Sequence, residues 1–317
     1  MNTDRRRFSS YLIALFFIFT ISMTAYAEDY ITDEEGKIAP ELLADKDGKF
    51  IDVKGLKVYY KEKGSKGKVL LFIHGFSAST YSWRLNLEPL AKNHKVYALD
   101  LKGFGYTAKP KESDYTLDAQ AKLVADFMDT LKIKSAVLIG NSMGGAISIK
   151  VALQFPDKVE KLVLVDSAGV SEGIVMFGVL GKNISANSLS KTLNYLFMNE
   201  HTIISIIKSL YVQKHLKTDE VAEGYVKPFR TPGIEDAFAE MVKGFVQDDD
   251  LPKRIPEIKV PVLIVWGEDD TIIPVSAAKK FNELIKGSKL IIYPEAGHMP
   301  MEEHPAEFNK AIAEFAK

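Results

Sequence analysis

The 317-residue chain contains no cysteine. That excludes disulfides, thiolate metal sites and a cysteine nucleophile, and it leaves the redox compartment undefined. A charge of one sign is lacking too: 41 Lys and Arg face 42 Asp and Glu, for a formal net charge of -1. No basic field points to nucleic acid. The third absence is a long apolar run. Residues 11–23 are almost wholly apolar, but they fall short of the about 20 residues a membrane-spanning helix needs. What remains is ordinary globular composition, 46% hydrophobic and 26% charged, rich enough to bury a large core.

The N-terminus carries its own signal. Arg5, Arg6 and Arg7 precede the apolar run, and Ala25-Tyr26-Ala27 follows it as an A-x-A cleavage site before Glu28-Asp29. That order is expected of a secretory signal peptide over residues 1–27, with export to the periplasm or medium. The alternative is an uncleaved N-terminal membrane anchor. Residues 28–46 are polar and acidic and read as an exposed lead-in.

From residue 50 the pattern alternates between strand and helix. Short runs rich in Val, Ile and Leu at 56–60, 69–73, 95–99, 136–139, 162–165, 262–265 and 290–293 read as strands. Several are apolar on both faces, as strands of a parallel sheet buried between helices must be. Leu117, Ala121, Val124, Met128 and Leu131 fall at helical spacing behind Thr116, a plausible N-cap. Residues 144–154 and the segment around Phe308, Ile312 and Phe315 are further helices. The expectation is an α/β fold with a mostly parallel sheet. Residues 170–250 interrupt the alternation with helical periodicity and no convincing strand. They read as a helical cap inserted between core segments 47–169 and 251–317.

The chemistry concentrates at strand ends. Gly140-Asn141-Ser142-Met143-Gly144 fits G-x-S-x-G between the strand AVLIG and a helix, the context of a nucleophile elbow. His74-Gly75-Phe76 follows the strand VLLFI, where one oxyanion-hole N–H is expected; Phe76 and Met143 are the candidate backbone donors. The His74 side chain reads as structural. Of six histidines, His298 lies just past the last strand in a glycine-bearing loop, where open α/β sheets build their sites. His304 follows at the start of the final helix and reads as surface. The acid belongs between serine and histidine, in the loop Glu268-Asp269-Asp270. Asp270 is favoured over Asp269 and then Glu268. Asp100-Leu101-Lys102-Gly103-Phe104-Gly105 reads as a loop scaffold.

Together these segments resemble the α/β-hydrolase superfamily. HGFSASTYSW is similar to its oxyanion segment, and DLKGFGYTAKP to D-x-x-G-x-G-x-S with Thr107 in place of serine. GNSMGG has the elbow form common among meta-cleavage-product hydrolases and related esterases. WGEDDTIIP and GHMPMEEHP match W-G-x-x-D-x-x-x-P and G-H-x-P-x-x-E-x-P. The resemblance covers about residues 50–317. It implies an eight-stranded, mostly parallel sheet with flanking helices and a Ser142–His298–Asp270 triad that needs no metal or cofactor. It also implies a small acyl substrate. A serine at the elbow favours attack on a carbonyl over epoxide or halide chemistry. Carboxylester hydrolysis is the first expectation. C–C hydrolysis of vinylogous diketo acids is the enzyme alternative, with Lys208 and Arg230 as cations for an anionic substrate. A non-catalytic binding protein on the same fold is the third reading. Phe197, Tyr211 and Phe245 of the cap are expected to touch the substrate.

Overall fold

The computed structural model describes residues 37–170, 199–246 and 250–317. Eight strands form one sheet: β1 (Gly48–Val53), β2 (Leu56–Lys63), β3 (Val69–Ile73), β4 (Lys95–Leu99), β5 (Ala136–Asn141), β6 (Val159–Val165), β7 (Val262–Gly267) and β8 (Lys289–Tyr293). Their spatial order is β1-β2-β4-β3-β5-β6-β7-β8. The β1–β2 and β2–β4 pairs are antiparallel and every later pair is parallel. Central strands β5 and β7 are buried along their whole length, as their unbroken apolar sequences require, whereas edge strands β1 and β8 are half exposed.

Strand β1 has no counterpart among the seven apolar runs seen in the sequence. Its residues GKFIDV mix charge with apolar side chains because one face meets water. The informative signal is the two-residue turn Lys54-Gly55 that joins it to β2. Both residues have positive φ, 54° and 88°, as a tight hairpin with the right twist demands.

Helices α1 (Leu117–Thr130), α2 (Met143–Gln154), α6 (Val275–Leu284) and α7 (Pro305–Ala316) belong to this core. Thr116 caps α1 by accepting the Ala119 N–H at 3.3 Å. Ten of the twelve residues of α2 are buried, because it runs between the sheet and neighbouring helices. Between β6 and β7 the described chain forms α3 (Glu200–Ser209), α4 (Asp219–Val226) and α5 (Ile234–Val246) and no strand. Their buried faces carry Ile203, Ile207, Ala222, Tyr225, Phe238 and Met241. No described helix is long and apolar enough to cross a membrane. The expected signal peptide, residues 1–27, lies outside the described residues, as does Phe197.

Of the lead-in, residues 37–46 are described, and they are tied to the helical insertion. The Ile38 N–H donates to the Arg230 carbonyl at 2.8 Å, and the Lys37 ammonium meets Glu235 at 2.5 Å. The Lys37 side chain is 4% exposed, so this end of the lead-in is held against the insertion.

The order of β3, β4 and β5 reverses beside β3, which opens a crevice at the carboxyl ends of β3 and β5. Asp100, just past β4, ties down one wall. Its oxygens accept the Thr80 N–H at 2.6 Å and the Tyr106 N–H at 2.7 Å, fully buried. Thr107 accepts the Tyr59 N–H and donates to the Asp100 carbonyl. Asp100→Asn retains one acceptor and turns an N–H toward the second donor. It is expected to cost about 1–3 kcal/mol of stability, read as a lower denaturant midpoint with unchanged m-value. An unchanged midpoint contradicts the assignment.

Candidate active site

Ser142 joins β5 to α2 at φ 53° and ψ -120°, in the left-handed region that ordinary side chains avoid. The strain is held by hydrogen bonds on both sides. Its N–H donates to the Val165 carbonyl at 2.9 Å, and its own carbonyl accepts from Gly145 and Ala168. Glycine is required where backbones meet. A Cβ on Gly140 would stand 2.3 Å from the Gly144 carbonyl oxygen, and one on Gly144 would stand 2.2 Å from that of Ile73. Gly144 is crowded by the end of β3. The same closeness brings Gly75 against Ser142, with a hypothetical Gly75 Cβ 3.1 Å from the Ser142 Cβ.

Met143 opens α2, so its N–H has no acceptor within the helix and the helix dipole adds positive potential there. Phe76 follows Gly75 on the facing loop, and its ring meets Phe104 at 5.5 Å and Phe238 of α5 at 5.1 Å. His74 has a different task. The Leu101 N–H donates to its Nε2 at 3.0 Å, so Nδ1 carries the proton and donates to the Gly75 carbonyl at 2.7 Å. Complete burial holds its pKa down at about 4, and the ring stays neutral as a brace for the loop.

His298 sits past β8 and is 6% exposed. Its Nδ1 lies 2.7 Å from Asp270 Oδ2. Asp270 Oδ1 accepts the Ile272 and Ile273 N–H groups at 2.7 and 3.1 Å, which fixes the carboxylate facing the ring. Asp270 is buried, whereas Glu268 and Asp269 are exposed on the same loop. The Asn141 amide donates to the His298 carbonyl at 3.3 Å and joins the histidine loop to the residue before Ser142. An imidazole bound to a carboxylate thus stands at the ends of β8 and β7, and the strained serine stands at the end of β5.

The helical insertion reaches this centre directly. The Leu210 carbonyl, just after α3, accepts the His298 N–H at 2.9 Å. Glu303 bridges the same elements, accepting the Gly297 N–H at 2.6 Å and those of Val212 and Gln213 at 2.6 and 2.8 Å. Its neighbour Glu302 is fully buried and accepts from the Tyr211 hydroxyl at 2.8 Å, the Tyr225 hydroxyl and the Arg84 guanidinium at 2.6 Å. Tyr211 was expected to touch substrate. Its hydroxyl donates to Glu302, and the residue is 2% exposed. Phe197 and the Phe245 side chain lie outside the described residues. Glu302, Glu303 and Asp166 escaped the sequence reading. The two glutamates stand inside the quoted GHMPMEEHP motif, which was the available signal. His304, expected at the surface, is partly buried and stacks on Tyr293 at 5.3 Å.

Residues 68–305 match the family model described as alpha/beta hydrolase fold. The chain belongs to that family. It is 31% identical over 269 residues to an uncharacterized hydrolase, YugF, of Bacillus subtilis, a match covering 84% of this chain and 96% of that one. It is 32% identical to the 2-hydroxy-6-oxo-6-(2'-aminophenyl)hexa-2,4-dienoic acid hydrolase of Metapseudomonas resinovorans, over 84% of this chain and 90% of the relative. Among solved structures it is similar to a membrane phospholipase A described as a bacterial virulence factor. That match has 25% identity and a TM-score of 0.71 over 97% of both chains. The α/β-hydrolase assignment makes the protein a hydrolase and fits the strand-end position of each group above.

The exposure contrast on the acid loop generates a test. Asp270→Asn is expected to lower hydrolytic turnover by on the order of 10⁴-fold, because an amide cannot orient and balance the imidazolium. Asp269→Asn and Glu268→Gln are expected to stay within about threefold, as exposed loop charges generally do. A crippled Asp269→Asn enzyme would place the acid one residue away.

Proposed function

We propose that the protein is a serine esterase that works through an acyl-enzyme. His298 takes the Ser142 hydroxyl proton as Oγ attacks the ester carbonyl. The Met143 and Phe76 amides receive the oxyanion, and His298 returns the proton to the leaving alkoxide. Water then attacks the acyl-enzyme, giving its proton to His298, and Ser142 leaves with that proton restored. Asp270 holds the imidazole tautomer and balances its charge. All three groups come from this chain, and the chemistry calls for no metal or cofactor.

The observation that favours esters over diketo acids is the state of the two cap cations. Arg230 is bound by Glu200 at 2.9 Å and by Glu223 at 2.5 and 3.0 Å. Lys208 pairs with Asp219 at 2.5 Å. Neither is left to neutralise an anionic substrate, and prying one from its carboxylates costs the binding that it would supply. The similarity to a C–C hydrolase keeps that reaction as the second reading.

Phe238 of α5 is buried against Phe76, so it shapes the space beside the oxyanion loop from behind that ring. Purified protein is expected to hydrolyse p-nitrophenyl esters and to leave a vinylogous diketo acid untouched. Phe238→Ala should shift the preferred acyl length, with changes of roughly ten- to a few-hundredfold between homologues. Turnover of the diketo acid exceeding that of every ester would reverse the choice.

The reaction is proposed to take place outside the cytoplasm. Support comes from the arginine, apolar and A-x-A order of residues 1–27. The similarity to a membrane phospholipase A over 97% of both chains keeps the anchored form as the alternative. N-terminal sequencing of protein from the native host is expected to begin at Glu28. A chain starting at Met1 in the membrane fraction supports the anchor.

A further inference from the structure

Asp166 follows β6 at φ 41°, and its carboxyl is fully buried. Oδ1 accepts the Gly267 N–H at 3.0 Å, where the acid loop begins. Oδ2 is sealed from solvent and finds no donor among the described residues. One oxygen of Asp166, one of Asp270 and a ring nitrogen of His298 lie within 4.8 Å of one another. A cation does not suit the cluster. The Gly267, Ile272 and Ile273 N–H groups and His298 already point donors at it.

Two carboxylates in contact in a buried site cannot both ionise cheaply. The backbone decides which keeps the proton. Asp270 is stabilised as an anion by two backbone N–H groups and the imidazole, whereas Asp166 has a single N–H. Burial, then the Asp270 charge, push Asp166 well above the usual carboxylate range, and Glu303 past β8 adds a further negative charge in the same direction. The proton belongs on the orphan oxygen, Oδ2, beside Asp270.

We propose that Asp166 is a positioning residue: a neutral carboxylic acid that donates a hydrogen bond from Oδ2 to the Asp270 carboxylate and holds it against His298. A second consequence follows for the base. With Asp166 neutral, one negative charge lies beside the imidazole instead of two. A second anion there would move the acidic limb of the activity profile upward.

The inference rests on the triad reading, which the Asp270→Asn comparison tests separately. Asp166→Ala is expected to lower kcat on esters by on the order of 10- to 100-fold, the value of a hydrogen bond to a charged group, with little change in KM. Asp166→Asn, which still donates to Asp270 and accepts from Gly267, is expected to recover to within about threefold. The acidic limb of its kcat/KM profile should coincide with that of the wild type. A limb displaced downward by about one pH unit or more means that wild-type Asp166 is ionised, and overturns the proposal. So does an Asp166→Asn enzyme as weak as Asp166→Ala. Carboxyl-carbon NMR of aspartate-labelled wild-type protein gives the answer without substitution or turnover. Asp100, whose burial pushes it up to about 6, is ionised at about pH 8. One aspartate carboxyl should still show the protonated shift there, and a spectrum of ionised carboxyls alone contradicts the proposal.

Discussion

The turn at Ser142 exists because three backbone segments approach one another more closely than a methyl group permits. The end of β3, the turn itself and the start of α2 meet at Gly140 and Gly144, while Gly145 presses against Ser167 at a distance that would put a Cβ 2.1 Å from its hydroxyl. This contact sets the register between the serine and the His74–Phe76 loop, which makes the arrangement of nucleophile and amides a property of the sheet. It also explains the unfavourable φ of Ser142. The residue cannot relax without pulling α2 away from β3, and α2 is buried on nearly every side.

A second constraint couples the base to the helical insertion. The His298 N–H is satisfied by Leu210 of the insertion, and Glu303 binds amides of both segments. Below them Glu302 is held by Arg84, Tyr211 and Tyr225, and burial raises its pKa even against the Arg84 charge. Such a network is costly to bury and still costlier to leave half made, with about 3–5 kcal/mol at stake when one partner is removed. Arg84 stands four residues past Thr80, which Asp100 holds beside the oxyanion loop. Oxyanion loop, histidine loop and insertion therefore meet at one set of buried polar contacts, and a shift of the helices between β6 and β7 would be felt at the imidazole.

Much of this was legible in the chain. Ser142, Asp270 and His298 each sit at the end of an apolar run, where pattern alone places loops at one edge of a parallel sheet. The parts that stayed hidden are those whose reason is tertiary. Strand β1 has a mixed composition because it lies at the sheet's edge. The bond from the Tyr211 hydroxyl to Glu302 was hidden because an apolar helical cluster reads the same whether it lines a cavity or covers a carboxylate. Asp166 looked like any strand-end aspartate, since nothing local says that a second carboxylate from β7 arrives beside it. Residues 37–46 look like a solvated tail until the partners of Lys37 and Ile38 are known.

The central claim is that Ser142 alone is made nucleophilic by this geometry. Its most direct test is labelling of the native protein with a fluorophosphonate probe, followed by peptide mapping by mass spectrometry. The expected result is one adduct on Ser142 that is abolished by prior heat denaturation. No adduct on the folded protein, or an adduct on another residue, would contradict the account.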